Sequence, residues 1–299
     1  MKESEIGTLV LSGRAFGPKE VRQIQETVRL FSKLSRFELA QTLCEHLGWR
    51  TPKGQNKVDS CLKALRQLEA LGLIEGPARR GYAARSKEAV TGSARTDPAQ
   101  PLVGSVADYE PIELEVVEQR GERQLWNDYV ARYHYLGYQR PWGAHQRYFI
   151  VSSKSERLCL GCLMFGVSAW AVAVRDEWIG WSARLRAQRL NWVVNNSRFL
   201  IFPWVRMANL ASRVLGLAAR RLGQDWQRRY GYRPVLLETF VDAQRYRGTC
   251  YQAANWIGLG RTAGRGRMDR HKRYGLTRKL MYVYPLRADF RSVLKRRCR

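Results

Sequence analysis

The sequence predicts an α/β (α+β) protein in which a small helical module precedes a larger domain of mixed strands and helices. Apolar residues recur at helical spacing in the first part of the chain, a polar stretch follows, and strand-like and helix-like runs then alternate. With 299 residues, of which 45% are hydrophobic, the chain can bury the cores of two domains. We expect the helical module at residues 1–84, a linker at 85–108 and the larger domain at 109–299.

Three helices are predicted within the first module. Pro18 opens the first of them, and Ile24 and Val28 lie on its apolar face. Ser35 and Glu38 form the S-x-x-E pattern of a capping box, which predicts the start of the second helix. The third predicted helix, VDSCLKALRQLEALGLI, repeats leucine on one face and follows a polar turn.

The order of these elements is that of a winged helix-turn-helix, a fold that places its later helix in the major groove of DNA. A short apolar run after the third helix and the basic tip Arg79-Arg80 supply the predicted wing. The candidates for DNA contact near that helix are Lys53, Gln55, Asn56, Lys57, Ser60 and Lys63. A three-helix bundle that serves dimer contacts is the alternative, and periodicity alone does not separate the two.

A stretch rich in Ser, Ala, Thr, Gly and Pro, without apolar periodicity, predicts the linker. Beyond it, the predicted strands are RYFIVS, RLCLGCLMFGV, RFLIF, PVLLETFV and MYVYPL. The predicted helices are a segment around Gln124 to Tyr133, NLASRVLGLAARRL and GTCYQAANW. Strands that alternate with helices in this way predict a mostly central sheet.

The net charge predicts the kind of partner. The chain has 52 Lys and Arg against 26 Asp and Glu, a net charge of +26 and an isoelectric point near 10.4. So basic a chain repels itself, and a polyanionic partner is the physical reason to keep the charge, nucleic acid before anionic membrane. No run reaches the roughly 20 apolar residues of a membrane span, and no secretory signal is recognisable. We expect a cytosolic protein that binds DNA and no membrane.

Basic residues are concentrated near the C-terminus and beside predicted turns. The last 39 residues contain 14 Lys and Arg against two acids, and glycines alternate with arginines in GRTAGRGRMDRHKRYG. This spacing lets several guanidinium groups reach phosphates. The predicted phosphate contacts of the larger domain are Arg206, Arg245, Arg247, Arg261, Arg265, Arg267, Arg270, Lys272 and Arg273.

The six cysteines give no metal signature. Cys159 and Cys162 have the C-x-x-C spacing, but they lie in an apolar run without a second close pair or a nearby histidine. Alternation along a strand places them on opposite faces, which suits neither a metal nor a disulfide. We expect free, buried thiols.

Four carboxylates are candidates for chemistry in a chain otherwise so basic. Asp176 and Glu177 follow an apolar run, and Glu238 and Asp242 bracket the end of the predicted strand LLETFVD. Carboxylates at strand ends can hold Mg²⁺ for phosphodiester cleavage, here with Asp176, Glu238 and Asp242 as ligands, provided that they converge. Structural ion pairs with nearby arginines explain the same residues equally well.

Two uncharged groups join the candidate catalytic residues. His134 lies in RYHYLGY beside a loop that contains Gly and Pro, and Tyr251 lies in GTCYQAANW. No metal-binding spacing such as H-x-H or H-E-x-x-H occurs. A lone histidine is more often structural than catalytic, so the sequence leaves both roles open.

Several strings of the larger domain, over roughly residues 109–294, form a distinctive set: YHYLGY, RDEWIGW, NNSRFLIFPWVRMANLASRVL, LLETFVD, RYRGTCYQAANWIGLGRTAGRGR and YPLRADF. They resemble the DruA family, which takes its name from the Druantia anti-phage defence system and also occurs beside transposases. The resemblance implies a prokaryotic, DNA-associated role in phage defence or mobile DNA, with other defence-system or transposon proteins as partners.

The order of elements is also similar to the acetyltransferase-like fold of the GNAT superfamily. In that superfamily the turn R/Q-x-x-G-x-G/A offers bare glycine amides to the pyrophosphate of acetyl-CoA. The corresponding string here runs from Arg206 to Ala211 and has Asn209 where glycine is expected. The resemblance implies a GNAT-like mixed sheet, while the substituted turn argues against ordinary acetyl-CoA binding.

Three functions follow as hypotheses. The first is a DNA-binding protein of phage defence or transposition whose chemistry is metal-dependent cleavage or nicking. The second is an acyl-type transferase that modifies a DNA base, and the third is a DNA-binding accessory without chemistry. Mg²⁺-dependent nicking would support the first hypothesis, and an acyl carrier bound at Arg206 to Ala211 would support the second. If neither is observed, the third hypothesis remains.

Overall fold

Strands and helices alternate beyond the third helix, as the sequence pattern predicts. The computed structural model describes residues 7–31, 34–51, 55–77, 94–154, 156–263 and 277–296. Its strands are β1 (Leu9–Leu11), β2 (Arg14–Phe16), β3 (Leu102–Ser105), β4 (Ile112–Val116), β5 (His145–Ser152), β6 (Leu158–Val167), β7 (Val193–Ile201), β8 (Val205–Ala208), β9 (Leu236–Asp242), β10 (Ile257–Arg261) and β11 (Lys279–Pro285). Its helices are α1 (Pro18–Leu30), α2 (Arg36–His46), α3 (Val58–Ala70), α4 (Arg120–Tyr133), α5 (Ala173–Ile179), α6 (Ala183–Arg189), α7 (Leu210–Tyr230), α8 (Thr249–Ala253) and α9 (Phe290–Lys295).

A seven-stranded mixed sheet organises the larger domain. Its strand order is β10-β11-β9-β7-β6-β5-β4, and every neighbouring pair is antiparallel except β7 and β9. β5 and β6 are buried along almost their whole length. Burial on both faces explains why β6 is a continuous apolar run rather than an alternating one. The mixed sheet confirms the predicted α/β class. Among the described helices, none has both the length and the apolar character to cross a membrane.

β7 and β9 run parallel and separate part-way along. Their pairing ends with Asn196 opposite Thr239. The register of β7 against β6 shifts at this point, and the Asn196 side-chain amide donates to the carbonyls of Met164 and Arg198 at 3.1 Å each. A bulge bends a strand and re-aims its side chains. The sheet is therefore open beyond Asn196, and side chains from neighbouring loops gather there.

The helical module begins with a hairpin of β1 and β2 that leads into α1. The predicted capping box of α2 is confirmed: the Glu38 N–H donates to Ser35 Oγ at 3.2 Å, and the Ser35 N–H donates to Glu38 Oε2 at 3.1 Å. α2 packs against α3, and β1 lies beside α3.

The winged part of the predicted helix-turn-helix stays a prediction. Residues 71–77, which follow α3, form turn and irregular structure, and no strand is found among them. The basic tip Arg79-Arg80 and the first part of the predicted linker fall within 78–93, outside the described residues.

The second half of the predicted linker is folded onto the larger domain. Ala94–Thr96 forms a short 3-10 helix, in which the carbonyls of Arg95 and Thr96 accept the hydroxyls of Tyr129 and Tyr133 at 3.0 and 2.7 Å. β3 then pairs in parallel with β8. Composition predicted no structure for this segment because its hydrogen-bond partners lie more than thirty positions further along the chain.

The helical module and the sheet share one hydrophobic core. The ring of Phe31 packs edge-on against that of Tyr232, with centroids 4.7 Å apart. Polar contacts also join the two parts: Gln41 Oε1 accepts the Gly143 N–H at 3.2 Å, and the Gln23 side chain donates to the Ala187 carbonyl at 3.2 Å. The core runs without interruption from the first helices to the sheet.

Candidate nucleic-acid interface

A buried ion pair joins two of the candidate carboxylates to one arginine. Arg175 in α5 and Glu238 in β9 are both fully buried, and Arg175 Nη1 donates to Glu238 Oε2 at 2.8 Å. Glu238 Oε1 accepts the backbone N–H of Ala169 at 2.8 Å. The same guanidinium donates to Asp176 Oδ1 through Nε at 3.0 Å and through Nη2 at 2.9 Å. Glu238 and Asp176 therefore meet on opposite sides of an arginine.

The Asp176 carboxylate has further donors. Its Oδ1 accepts the Trp181 indole N–H at 2.9 Å, and its Oδ2 accepts from Arg186 Nη1 at 2.8 Å. Each oxygen of the two carboxylates thus has a nitrogen donor, and a cation would have to displace an arginine to reach them. The network connects α5 and α6 to β9. It is the structural ion pairing that the sequence offered as the alternative to a metal site.

The three predicted Mg²⁺ ligands do not converge. Glu238 and Asp242 are four residues apart on an extended strand, which separates them by roughly 13 Å at about 3.3 Å per residue. Glu177 is exposed on α5. Over the described ranges, no three His, Cys, Asp or Glu side chains are grouped as metal ligands. Cys159 and Cys162 are free thiols, of which Cys162 is buried and Cys159 half-buried.

Tyr251 fills the gap between β7 and β9. Its hydroxyl donates to Asn196 Oδ1 at 2.7 Å and lies 3.4 Å from Thr239 Oγ1. Its ring stacks on that of Tyr282, with centroids 5.8 Å apart. Burial raises the pKa of the Tyr251 hydroxyl well above its ordinary value. Tyr251 therefore anchors α8 in the opening between the two strands.

His134 and Tyr135 follow α4 and cover the open end of the sheet. Their rings stack with centroids 4.9 Å apart. His134 Nδ1 accepts the backbone N–H of Leu136 at 3.2 Å. Burial, together with the positive charge of Arg198, lowers the pKa of His134 to about 4. At neutral pH this imidazole is uncharged and has Nε2 as its donor, so it supports Tyr135 without adding charge.

Arg198 holds the turn that carries these rings. Its Nε donates to the Gly137 carbonyl at 3.2 Å and its Nη1 donates to the Ser197 carbonyl at 2.7 Å. Burial lowers the pKa of Arg198, with the nearby Tyr135 acting in the opposite direction. Within the described residues no carboxylate forms an ion pair with this half-buried guanidinium, so its positive charge is not neutralised by one.

The loop that follows β9 presents three exposed side chains in a row, Arg245, Tyr246 and Arg247. The Asp242 carbonyl accepts the N–H groups of Arg245 and Tyr246 at 3.1 and 2.9 Å. Asp242 Oδ1 accepts the N–H of Gln244 at 3.0 Å, and its Oδ2 lies 3.7 Å from Arg245 Nε. Asp242 therefore shapes the loop from within.

Gly248 lets this loop return closely onto β11. Its φ is +74°, and a Cβ at this position would lie 2.7 Å from the ring and hydroxyl of Tyr282. The Tyr282 hydroxyl donates to the Arg247 carbonyl at 3.2 Å. Only glycine combines this backbone conformation with so close an approach. The loop is thus fixed at both ends.

Basic side chains gather at this end of the sheet. Arg261 ends β10, and Lys279 begins β11 opposite Asp242. We define the sheet-end surface by Tyr135, Leu136, Arg198, Arg245, Tyr246, Arg247, Arg261 and Lys279. Five of these side chains are cationic, and Asp242 is the carboxylate that the described residues place among them. An excess of positive charge of this size attracts polyanions.

The candidates in the helical module lie on different elements. Lys57 directly precedes α3, Lys63 is exposed on it, and Asn56 forms an isolated bridge with Arg50. Arg206 is exposed in β8. Gln55 is exposed before α3, and Ser60 is half-buried on it. Eight further candidates lie outside the described residues: Lys53, Arg79, Arg80, Arg265, Arg267, Arg270, Lys272 and Arg273.

Sequence reasoning missed Tyr135, Arg198 and Tyr246. Tyr246 stands between two predicted phosphate contacts in RYR, directly after a predicted strand, and this alternation of ring and charge is a signal that could have identified it. Tyr135 and Arg198 carry no such local signal, because they reach the surface only through the turn after α4 and the bulge in β7.

The chain is similar to one described family. A family model described as Druantia protein DruA matches residues 69–279, which is more than half of the chain. No curated protein matches the chain.

Two solved structures are similar to part of the chain. A mutant of the spermidine N-acetyltransferase SpeG from Vibrio cholerae has a TM-score of 0.36 and 9% identity, over 60% of this chain and 95% of that one. A spermidine N-acetyltransferase from Vibrio cholerae in complex with CoA and spermine has a TM-score of 0.33 and 11% identity, over 57% and 94%. At TM-scores this low, the likeness carries no further argument.

Proposed function

The chain belongs to the DruA family, and we propose on that premise that it serves anti-phage defence by binding nucleic acid through the sheet-end surface. Transposition of mobile elements is the second process in which the chain would bind nucleic acid in the same way. The observation that carries the proposal is that five cations lie at one end of the sheet, where Asp242 is the carboxylate that pairs with Arg245 and lies opposite Lys279 in register. These cations are Arg198, Arg245, Arg247, Arg261 and Lys279.

The physical case is electrostatic. Arginines present planar, multiply donating groups that match phosphate oxygens, and the release of counterions from the polymer drives such binding. The net charge of +26 extends the attraction beyond this one surface. The proposal includes a second contact with nucleic acid, through Lys57 and Lys63 near the start of α3 in the helical module.

The contacts of the candidate carboxylates favour nucleic-acid binding over cleavage as the chain's role. Glu238 and Asp176 are both engaged by Arg175, and Asp242 shapes the loop after β9. A phosphodiester needs a cation or a base at the scissile bond, and these carboxylates are occupied by donors. We therefore place the chain's contribution in recognition, with other defence-system proteins as partners.

Fluorescence anisotropy with labelled DNA tests the proposal. The wild-type chain should bind at low salt, and the double variant Arg245→Glu/Arg247→Glu should lose most of this affinity because two attractive charges become repulsive. Arg157→Glu is the matched control, since Arg157 is an exposed arginine paired with Glu115 on the far edge of the sheet. If wild type and double variant bind equally, or the wild type binds no DNA, the proposal is wrong.

A functional readout complements the binding assay. Cells that express the chain from its own locus should resist phage, and the Arg245→Glu/Arg247→Glu variant should lose this protection while it accumulates to the same level. Full protection by the double variant would separate the defence role from the sheet-end surface.

Acyl transfer is the second candidate, and one observation favours it. Asn209, which stands where the acetyltransferase turn has glycine, has a φ of +64° and directly precedes α7. It thus adopts the left-handed conformation that glycine supplies, which asparagine tolerates better than most residues. The exposed residues Arg206 and Asn209 would hold the carrier's phosphates. Calorimetric titration with acetyl-CoA tests this candidate, and absence of binding would leave nucleic-acid recognition alone.

A further inference from the structure

Aromatic rings alternate with cations on the sheet-end surface. Tyr246 is 51% exposed and Leu136 is 42% exposed. The Tyr246 ring lies 5.5 Å from that of Tyr135, tilted by 59°. The Arg245 guanidinium lies over the Tyr135 ring, 5.4 Å from its centroid. Half-exposed aromatic and aliphatic groups that adjoin one another mark a surface suited to a ligand with both flat apolar faces and negative charge.

We infer that this surface binds unpaired nucleotides, with a base stacked on Tyr246 and the flanking phosphates held by Arg245 and Arg247. The inference rests on the nucleic-acid binding proposed above and names its substrate class. Aromatic side chains in a basic groove are the general means by which proteins hold single strands, because every base offers a flat π face. The order Arg-Tyr-Arg in one exposed loop places a ring between two phosphate ligands.

A duplex does not fit the same chemistry. The bases of a duplex are stacked on each other and paired, so only their edges are accessible in the grooves. Groove reading is done by a helix or a ribbon of strands, whereas residues 243–248 form an irregular loop. The exposed face of Tyr246 can therefore contact a base only where the base is unstacked.

The stacking surface is already arranged for its ligand. The Asp242 carbonyl holds the backbone at Tyr246, and Tyr282 holds it at Arg247. The uncharged ring of His134 supports Tyr135 from behind. A loop whose backbone is fixed before binding loses less conformational entropy when the ligand arrives. This arrangement favours rapid, sequence-tolerant capture of a strand.

The positive charge of the sheet-end surface favours a nucleic acid over an apolar protein as its ligand. A protein that docked on Tyr246 and Leu136 would also have to cover Arg247 and Arg198, for which the described residues supply no carboxylate partner, and burying such cations is unfavourable. A single strand of nucleic acid brings one phosphate with each base, so its phosphates can pair with the cations while its bases contact the apolar groups. The observations therefore favour a single-stranded nucleic acid over a protein.

Anisotropy titrations of two labelled probes test the inference. The first is an oligothymidine of about 20 nucleotides, longer than the roughly 4–16 nucleotides that a single-strand site covers. The second is a mixed-sequence duplex of the same length. Tyr246→Ala should weaken binding of the single strand roughly tenfold, the loss expected for one stacked base. The same variant should leave duplex affinity within twofold of the wild type.

Two matched variants make the result specific. Tyr246→Phe keeps the ring and removes only the hydroxyl, so it should bind the single strand as the wild type does. Ile257→Ala removes an exposed apolar side chain, 42% exposed, at the opposite end of β10 from Arg261, and should change neither affinity.

The outcomes distinguish this inference from the function on which it rests. If Tyr246→Ala binds the single strand with unchanged affinity, or weakens both probes equally, the stacking surface is wrong while salt-dependent DNA binding stands. If the wild-type chain binds neither probe, the proposed function itself fails. Selective loss of the single strand in Tyr246→Ala, with recovery in Tyr246→Phe, supports both.

Discussion

Arg175 donates to Glu238 at 2.8 Å in a position where both side chains are completely buried. Two charges in the interior of a protein are tolerated only when they neutralise each other and their remaining donors and acceptors are bonded. Here the Ala169 N–H and the Asp176 carboxylate complete the arrangement. The pair explains why a glutamate occupies a central strand and supplies the first prediction.

Glu238→Gln should destabilise the chain by about 3 kcal/mol, the size expected when one member of a buried ion pair loses its charge. The amide also turns an N–H group toward Arg175 or Ala169, which are donors. Urea denaturation measures the change. Glu177→Gln, an exposed neighbour of the network, is the control and should change stability by less than about 0.5 kcal/mol. A Glu238→Gln chain that is equally stable but inactive would instead assign Glu238 a direct role in function.

The affinity for duplex DNA should fall steeply as salt rises, because bound phosphates release counterions. The slope of log affinity against log salt should decrease in magnitude by about one unit for each phosphate-binding arginine that is removed. Arg245→Ala should show this decrease, and Arg157→Ala, whose arginine pairs with Glu115, should not. A wild-type affinity that stays constant between low and moderate salt would contradict the prediction.

Lys57 and Lys63 test the helical module separately from the sheet-end surface. The double variant Lys57→Ala/Lys63→Ala should weaken duplex binding by about 1–3 kcal/mol in total if α3 approaches the groove, while its melting temperature stays constant. Lys19→Ala, an exposed lysine on α1, is the matched control. Equal duplex affinity in the double variant and the control would show that α3 serves packing alone.

Acid should destabilise the chain through His46. Burial lowers the pKa of His46 to about 4, although the Glu45 carboxylate and a hydrogen bond to Asn191 act in the opposite direction. In the unfolded chain the group takes up its proton near pH 6.5, so between about pH 6.5 and pH 4 the unfolded state binds a proton that the folded state does not. The free energy of unfolding should therefore fall with decreasing pH across this window and keep its full value above pH 6.5.

The slope due to this one proton is about 1.4 kcal/mol per pH unit at most. Denaturation of wild type and His46→Gln at several pH values isolates it, because other groups contribute equally to both. The difference in stability between the two proteins should shrink as pH falls from about 6.5 toward 4. A difference that is constant over this range would show that His46 binds its proton equally in both states.

Local sequence signals predicted the elements well. The apolar spacing from Pro18 and the Ser35 to Glu38 capping box identified α1 and α2, since helix periods and caps depend on neighbours within four residues. The apolar run around Cys159 and Cys162 identified β6 for the same reason.

Contacts between distant residues were beyond the same reasoning. Arg175 and Asp176 are adjacent in sequence, but the partner of Arg175 lies 63 positions away, so the sequence could not decide between an ion pair and a metal site. Tyr135 and Tyr246 meet only because the turn after α4 and the loop after β9 reach the same end of the sheet. The single-strand surface depends on that meeting and has no local pattern of its own.

The Phe31 and Tyr232 contact between the first helices and the sheet has a consequence for how the chain melts. Since a continuous core couples the two parts, neither can lose its packing without exposing apolar surface of the other. Calorimetry should therefore record one cooperative transition, whose van't Hoff and calorimetric enthalpies agree, rather than two. It follows that point substitutions, and not truncations, are the appropriate way to assign functions to the two parts of the chain.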